Sequence, residues 1–408
     1  MLRSGSICVS FLYKYLTSKN DNEENENSES DNGKKLIKNA DKLKCLTETF
    51  QSYGGVLAKL SQILCSDEQN SQVFSDCKPF SQKETIEYFK KFYDNNIDFF
   101  KNVENVDFNV FKSGSVGQVH KALYNIDNDI KDIIIKVQYT GLKEQVDSDL
   151  FILDTIVKYL YKFSDLSNAM VDIKTKLNEE LDYKIELNNQ QLISNIWKNH
   201  ENIFIPQVIP ELSNDKIISM HFVEADSLTY FISNSTQEER NIIGKYIVEF
   251  VFINIFKHKI FYSDIHYGNF LVKDNKKLYV MDFGCLNFIK DDMLDNLKLI
   301  HKSILNDNID SFYNAIENLG IIDKNISSES KNYAYEYFKF QYIPWTSNDF
   351  EFTEEWLEKS IYKDIDLMKE WNLPSNMVYL NKIPFGLFHI LTKLKLKYDF
   401  TNFFKELL

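Results

Sequence analysis

The stretch Phe261–Gly284, FYSDIHYGNFLVKDNKKLYVMDFG, decides how the rest of the chain reads. Asp264 and Asn269 stand in the D-x-x-x-x-N spacing of a kinase catalytic loop, and a D-F-G begins at Asp282. Phosphoryl transfer needs a carboxylate near the entering nucleophile and hard oxygen ligands that set Mg²⁺ against the phosphates. Asp264 suits the first task, Asn269 and Asp282 the second. Between them, Phe270–Lys273 and Leu278–Met281 read as two strands of a hairpin. Antiparallel pairing returns the chain to its starting edge, so Asn269 and Asp282 meet although thirteen positions separate them. Either motif alone would be an ordinary turn; the spacing and the flanking strands together carry the reading.

Working back along the chain, Ile133-Ile134-Ile135-Lys136-Val137 is an apolar strand interrupted by one lysine, like the kinase strand whose Lys binds the α- and β-phosphates. An ammonium on such a strand needs a carboxylate, because an unpaired buried charge is costly. Glu186 is the expected partner. It sits on a predicted helix, Val171–Asn199, where Glu179, Asp182 and Glu186 line one face. Without the Lys136 strand, that face would read as a solvated acidic surface. The turn Lys112–His120 (KSGSVGQVH) lies where a nucleotide-binding loop would cover the phosphates, with Ser113, Gly114, Ser115 and Gln118 as candidate contacts. No G-K-[ST] closes it and a strand follows, which excludes a Walker loop.

The surrounding pattern is α+β. Val106–Phe111, Gly117–Tyr124 and Asp132–Val137 read as an antiparallel meander, and Phe204–Val208 with Lys216–Met220, around a turn at Asn214-Asp215, as two further strands of a small β lobe. Gly141–Phe163 reads as a helix, and helical spacing dominates after Asp226. The expected organisation is a polar leader over 1–40, a helical extension over 41–100, an N-lobe with a helical insert over 101–225 and a helical C-lobe over 226–408. The whole is a bilobal protein-kinase-like fold.

Bulk properties narrow the classes. With 408 residues and 44% hydrophobic content, the chain can bury a large core. A net charge of −13 argues against nucleic-acid binding, which needs concentrated Lys and Arg. Five cysteines without a C-x-x-C pair signal neither a disulfide framework nor zinc. No stretch has the length and apolarity of a transmembrane helix. The first twenty residues lack acids and hold one Arg, two Lys and four Ser, a composition shared with mitochondrial transit segments; mitochondrion and cytoplasm are the two expected locations. Nothing in the sequence signals an oligomeric state.

Several motifs together resemble the UbiB/ADCK-type atypical kinases linked to ubiquinone biosynthesis and lipid homeostasis. The family's K-x-G-Q is similar to Lys59-Leu60-Ser61-Gln62, its alanine-rich loop to Ser113–His120, its E-x-D to Glu180-Leu181-Asp182 and its H-x-D-P-H-P-G-N to Tyr262–Asn269. Lys382–Leu396, KIPFGLFHILTKLKL, resembles the family's C-terminal helix. The resemblance implies ATP or ADP with Mg²⁺ as cofactors, a small-molecule or lipid-linked substrate, contact with a membrane surface, and N-terminal helices laid over the nucleotide cleft. In that frame Lys59, Gln62, Glu180 and Asp182 form a regulatory extension, and Met220 and Phe222 flank the nucleotide base. This chain departs from the family at Ser61 (for Gly), Gly114 (for Ala), Tyr262 (for His), and Ile265 and Tyr267 (for two prolines). His221 follows Met220 where the family has Glu, and reads as a surface residue. A choline-kinase or aminoglycoside-phosphotransferase relative shares D-x-H-x-x-N but lacks the first and third motifs, and a nucleotide-binding pseudokinase is the non-enzymatic alternative.

Overall fold

The computed structural model describes residues 80–93, 102–114, 116–126, 128–142, 175, 178–179, 181–361, 368, 370–372 and 382–408. The leader, most of the expected extension and the expected helix Gly141–Phe163 past Leu142 lie outside the described residues. In chain order come α1 (Gln82–Tyr93), β1 (Val103–Glu104), β2 (Lys112–Ser113), β3 (Gly117–Ile126), β4 (Asp129–Gln138) and α2 (Tyr183–Trp197). Then follow β5 (Ile203–Phe204), β6 (Ile217–His221), β7 (Asp226–Ser227), α3 (Leu228–Asn234), α4 (Gln237–His258), β8 (Ile260–Tyr262), β9 (Phe270–Lys273), β10 (Lys277–Val280) and β11 (Leu286–Phe288). The remainder is α5 (Asp291–Leu305), α6 (Ile309–Asn318), α7 (Ser328–Thr346), β12 (Phe350–Glu351), α8 (Glu354–Ile361), α9 (Lys382–Lys393), β13 (Lys397–Tyr398) and α10 (Thr401–Leu407). The chain adopts the α+β class that its sequence pattern implies.

Two compact units form: the described residues up to Asn188 with Val208–Phe222, and Asn189–Gln207 with Val223–Leu408. The first is built on an antiparallel sheet ordered β1-β3-β4-β6, with β2 on β3. Residues opposite one another in such a ladder share a face. Val119 opposes Lys136, which opposes Ile218, so these lie on one face with Lys121, Ile134 and Met220. Gln118, His120, Ile133, Ile135, Val137, Ile217 and Ser219 take the other face. That second face is buried throughout, in a core shared with Phe89 of α1 and with Ile209 and Leu212 of the following 3₁₀ turn.

Three local expectations are corrected. Val106–Phe111 is not a regular strand: it keeps two bonds to β3, Asp107 N to Lys121 O at 2.8 Å and Phe111 N to Val119 O at 2.9 Å, but the ladder proper is confined to β1 and β2 on either side of it. Asp107 Oδ1 accepts from both the backbone N and the side-chain Nδ2 of Asn109, each at 2.9 Å, and such local bonds compete with a ladder. Phe204–Val208 is split: Val208 bridges Met220 of β6 in the small sheet, but its first residues do not join that sheet. Pro206 has no N–H to give a ladder, so the strand stops at Phe204 and pairs in parallel with Leu278–Tyr279 in the second unit. The helix expected over Val171–Asn199 is interrupted: the described residues Thr175, Asn178 and Glu179 are helical, Leu181 turns, and α2 starts at Tyr183 with Asp182 Oδ1 accepting from Lys184 N at 3.0 Å as an N-terminal cap. The acidic stripe is therefore broken at Asp182.

The second unit is organised around α4, which enters on a capping box between Thr236 and Glu239 and buries Ile247, Val248, Phe250 and Val251 in the core. It ends at Lys259, whose left-handed φ of 57° turns the chain straight into β8 and the loop that follows. Among the described residues no helix is long and apolar enough to cross a membrane.

Candidate active site

The expected site residues fall into two groups, one in each unit. In the first, Lys136 projects from the half-buried face of the sheet and donates to both carboxylate oxygens of Glu186, at 2.8 and 2.9 Å. Glu186 is buried on the first turn of α2, and the Lys136 ammonium also lies 4.9 Å from the Tyr183 ring centre. Removing one member of such a pair strands the other charge, at a cost of about 3–5 kcal/mol. The strand-to-helix distance is set by Gly117: a Cβ there would lie 2.4 Å from the Val137 carbonyl oxygen and 2.6 Å from the Tyr183 hydroxyl. Only glycine fits between them.

The turn before it is a hairpin in which Ser113 pairs with Gln118 and Gly114 N donates to Gly117 O at 2.8 Å. Ser115 lies outside the described residues, as do Lys59, Gln62 and Glu180. Gln118 does not face the hairpin's open side. Its Oε1 accepts from Phe80 N at 2.7 Å, and its Nε2 meets Thr85 Oγ1 and His120 Nε2, both at 2.9 Å. His120 Nδ1 lies 3.0 Å from the Asp107 carbonyl, which can only accept, so Nδ1 carries the proton and Nε2 accepts from Gln118. Burial lowers the His120 pKa and keeps the ring neutral. Gln118 and His120 thus fasten α1 to the sheet, a role that sequence reasoning missed; Thr85, on α1 and 33 residues before Gln118, carries no motif.

At the far end of the Lys136 face, Met220 is buried and Phe222 donates its backbone N to Asp132 O at 2.9 Å. The Phe222 ring meets Phe111 edge-on at 5.8 Å, and the Lys121 ammonium lies 4.1 Å from the Phe222 ring centre and 4.3 Å from that of Phe111. His221 is half-buried on the opposite face, with its pKa lowered by burial and by Lys131.

In the second unit the hairpin β9–β10 has the register Phe270↔Val280, and Met281 N donates to Asn269 O at 2.8 Å. Asn269 and Asp282 are brought side by side in this way. Asn269 Nδ2 donates to the Asp264 carbonyl at 2.9 Å and to Asp264 Oδ2 at 3.1 Å, which turns its amide oxygen away from Asp264. Asp264 remains part-exposed, with His266 Nε2 at 3.5 Å from its Oδ2. Asp282 adopts a left-handed φ of 59°, uncommon outside glycine, and accepts from Gly284 N at 3.1 Å. Asn189 Nδ2 secures the neighbouring Phe283 carbonyl at 2.9 Å.

Tyr262 lies under both acids. Its ring is buried against Phe250 and Phe283, and its hydroxyl donates to the Met281 carbonyl at 2.9 Å. That carbonyl belongs to the peptide joining Met281 to Asp282, so Tyr262 helps fix the plane from which Asp282 takes its unusual φ. Burial, and then the Asp264 and Asp282 charges, hold the phenol pKa well above its ordinary value. The departure at this position thus keeps the loop packed.

The family model described as "ABC1 atypical kinase-like domain" matches residues 72–316. The chain belongs to this family. Among curated ABC1 relatives it is 28% identical over 211 residues to "Probable serine/threonine-protein kinase abkA" of Dictyostelium discoideum, covering 48% of this chain and 37% of that protein. It is 26% identical over 289 residues to "Atypical kinase COQ8, mitochondrial" of Saccharomyces cerevisiae, covering 67% and 56%. The matched region thus spans 37% of the first relative and 56% of the second, well short of either full length. Rv3197 of Mycobacterium tuberculosis, solved as a complex with erythromycin, shares the fold with a TM-score of 0.66 and 21% identity, over 81% of this chain and 83% of that one.

Proposed function

We propose that this ABC1-family chain is an ATP-dependent phosphotransferase or ATPase of the UbiB/ADCK type, acting in ubiquinone- or lipid-related metabolism. The observation that carries this reading is the hairpin register that sets Asn269 and Asp282 side by side, with Asp264 held by the Asn269 amide. Lys136, aligned by Glu186, binds the α- and β-phosphates. Asp264 orients the entering hydroxyl or water and takes its proton as the new O–P bond forms and the bond to the ADP leaving group breaks. Met220 and Phe222 border the base, and Ser113 and Gly114 face the phosphates.

The donor chemistry at Asn269 and Asp282 fits Mg²⁺, a hard cation that these two side chains would hold through their oxygens beside the substrate phosphates. When bound, Mg²⁺ neutralises phosphate charge. The relatives named mitochondrial or chloroplastic support an organellar setting, with the mitochondrion favoured by the composition of the first twenty residues.

The test is purified full chain with γ-labelled ATP, with and without Mg²⁺. Turnover that requires Mg²⁺ and disappears in Asp282→Asn is expected. An Asp282→Asn chain that binds and hydrolyses Mg²⁺-ATP normally overturns the metal assignment, and tight nucleotide binding without turnover favours a pseudokinase.

A further inference from the structure

The two prolines of the resembled family's catalytic loop are replaced here by Ile265 and Tyr267. Proline stiffens a loop by fixing φ, so their loss removes an intrinsic brace on either side of His266. Both replacement residues meet α9. A Cβ on Gly386 would lie 2.2 Å from the Ile265 carbonyl oxygen and 3.3 Å from the Ile265 Cβ, so the helix backbone rests directly on the residue after Asp264. Three positions along the same helical face, the His389 carbonyl accepts from the Tyr267 hydroxyl at 3.2 Å. A glycine inside a helix is unfavourable against alanine, and this close approach is what requires it.

The helix is a firm footing. Leu387, Ile390 and Leu391 are fully buried in the core of the unit. The loop in turn is tied within itself, by Gly268 N to His266 Nδ1 at 3.0 Å, Asn269 N to His266 O at 3.1 Å and Asn269 Nδ2 to Asp264 O at 2.9 Å. A push at Ile265 or Tyr267 is therefore passed to Asp264 and Asn269.

We infer that α9 braces the loop that carries Asp264, with Gly386 and Tyr267 as positioning residues for Asp264. This rests on the reading of Asp264 as the group that handles the nucleophile. Gly386→Ala must displace the loop by an ångström or so, and a misplacement of that size lowers kcat about 100-fold. Tyr267→Phe removes one hydrogen bond and lowers kcat about fivefold. Nucleotide Kd measured without Mg²⁺ stays within about twofold in both, because the displaced groups, Asp264 and Asn269, serve the nucleophile and the metal and not the nucleotide itself.

The experiment measures kcat, nucleotide Kd and amide hydrogen exchange at Gly268 and Asn269 in the full chain and both variants. Slower turnover with unchanged Kd, and exchange about fivefold faster in Tyr267→Phe, is expected. Exchange and turnover indistinguishable from the parent chain in both variants overturn the brace. Should Gly386→Ala fail to fold, Tyr267→Phe decides alone. Should the parent chain show no turnover, the phosphotransfer reading falls and the exchange rates alone decide the brace.

Discussion

The two faces of the small sheet are made by alternate residues of the same strands, and they treat polar side chains in opposite ways. On one, Gln118 and His120 are fully buried with each hydrogen-bonding atom matched, from Phe80 and Thr85 through to the Asp107 carbonyl. On the other, one residue out of phase, Lys136 stays half-buried with its ammonium against Glu186. A saturated polar network has nothing left to offer a ligand, whereas an ammonium reachable from solvent does. Strand parity, more than residue type, separates the scaffold residues from the chemical ones.

The largest expected effect tests the open face. Lys136→Met should cut ATP turnover about 100- to 1,000-fold, as loss of one charge-stabilising donor does, in a steady-state assay. The contrast between the faces breaks if Gln118→Leu lowers turnover as much. That second variant should instead lower stability by about 2–3 kcal/mol in denaturant titration, since it strands the Phe80 amide and the partners in Thr85 and His120, while nucleotide Kd stays within about twofold.

Acid sharpens the contrast further. The pKa of His120 is lowered in the fold, so its stabilising contribution is complete above its unfolded value of about 6.5 and is lost as pH falls below that toward the folded pKa. Between pH 6.5 and 5, stability of the parent chain should fall more steeply than that of His120→Gln, by at most about 1.4 kcal/mol per pH unit. Equal slopes would mean that the ring is not held neutral. The smallest effect carries the comparison into the second unit, where Tyr262 is enclosed and Asp264 is open. Tyr262→Phe should cost about 1 kcal/mol of stability and lower turnover about fivefold, with Tyr262→His restoring part of it through its own donor. A fully active Tyr262→Phe would show that packing of the ring alone orders the loop.

What was legible in the sequence was local. The spacing Asp264–Asn269, the hairpin to Asp282 and the lysine within an apolar strand each depend on near neighbours, and the family match followed from them. The partner of Lys136 was also legible, because a buried ammonium leaves few choices. Gln118 was given to the nucleotide loop because its contacts, Phe80 and Thr85, lie more than thirty positions away and nothing local shows which sheet face a helix will cover. The Val106–Phe111 strand failed for a reason that was present in the sequence: Asp107 and Asn109 are residues that bond locally. Pro206 carried a similar warning. The tie from Tyr262 to Met281 and the seat of Ile265 on α9 are long-range and could not be read from spacing.

Gly117 has a wider consequence. By leaving to the Val137 carbonyl and the Tyr183 hydroxyl the space that a Cβ would need, it acts as a spacer of minimum thickness between the lysine strand and the start of the glutamate helix. Any methyl group inserted there would wedge strand and helix apart, lengthening the ion pair without touching either charged residue. The charge separation in this half of the molecule is thus gauged by a position that has no side chain.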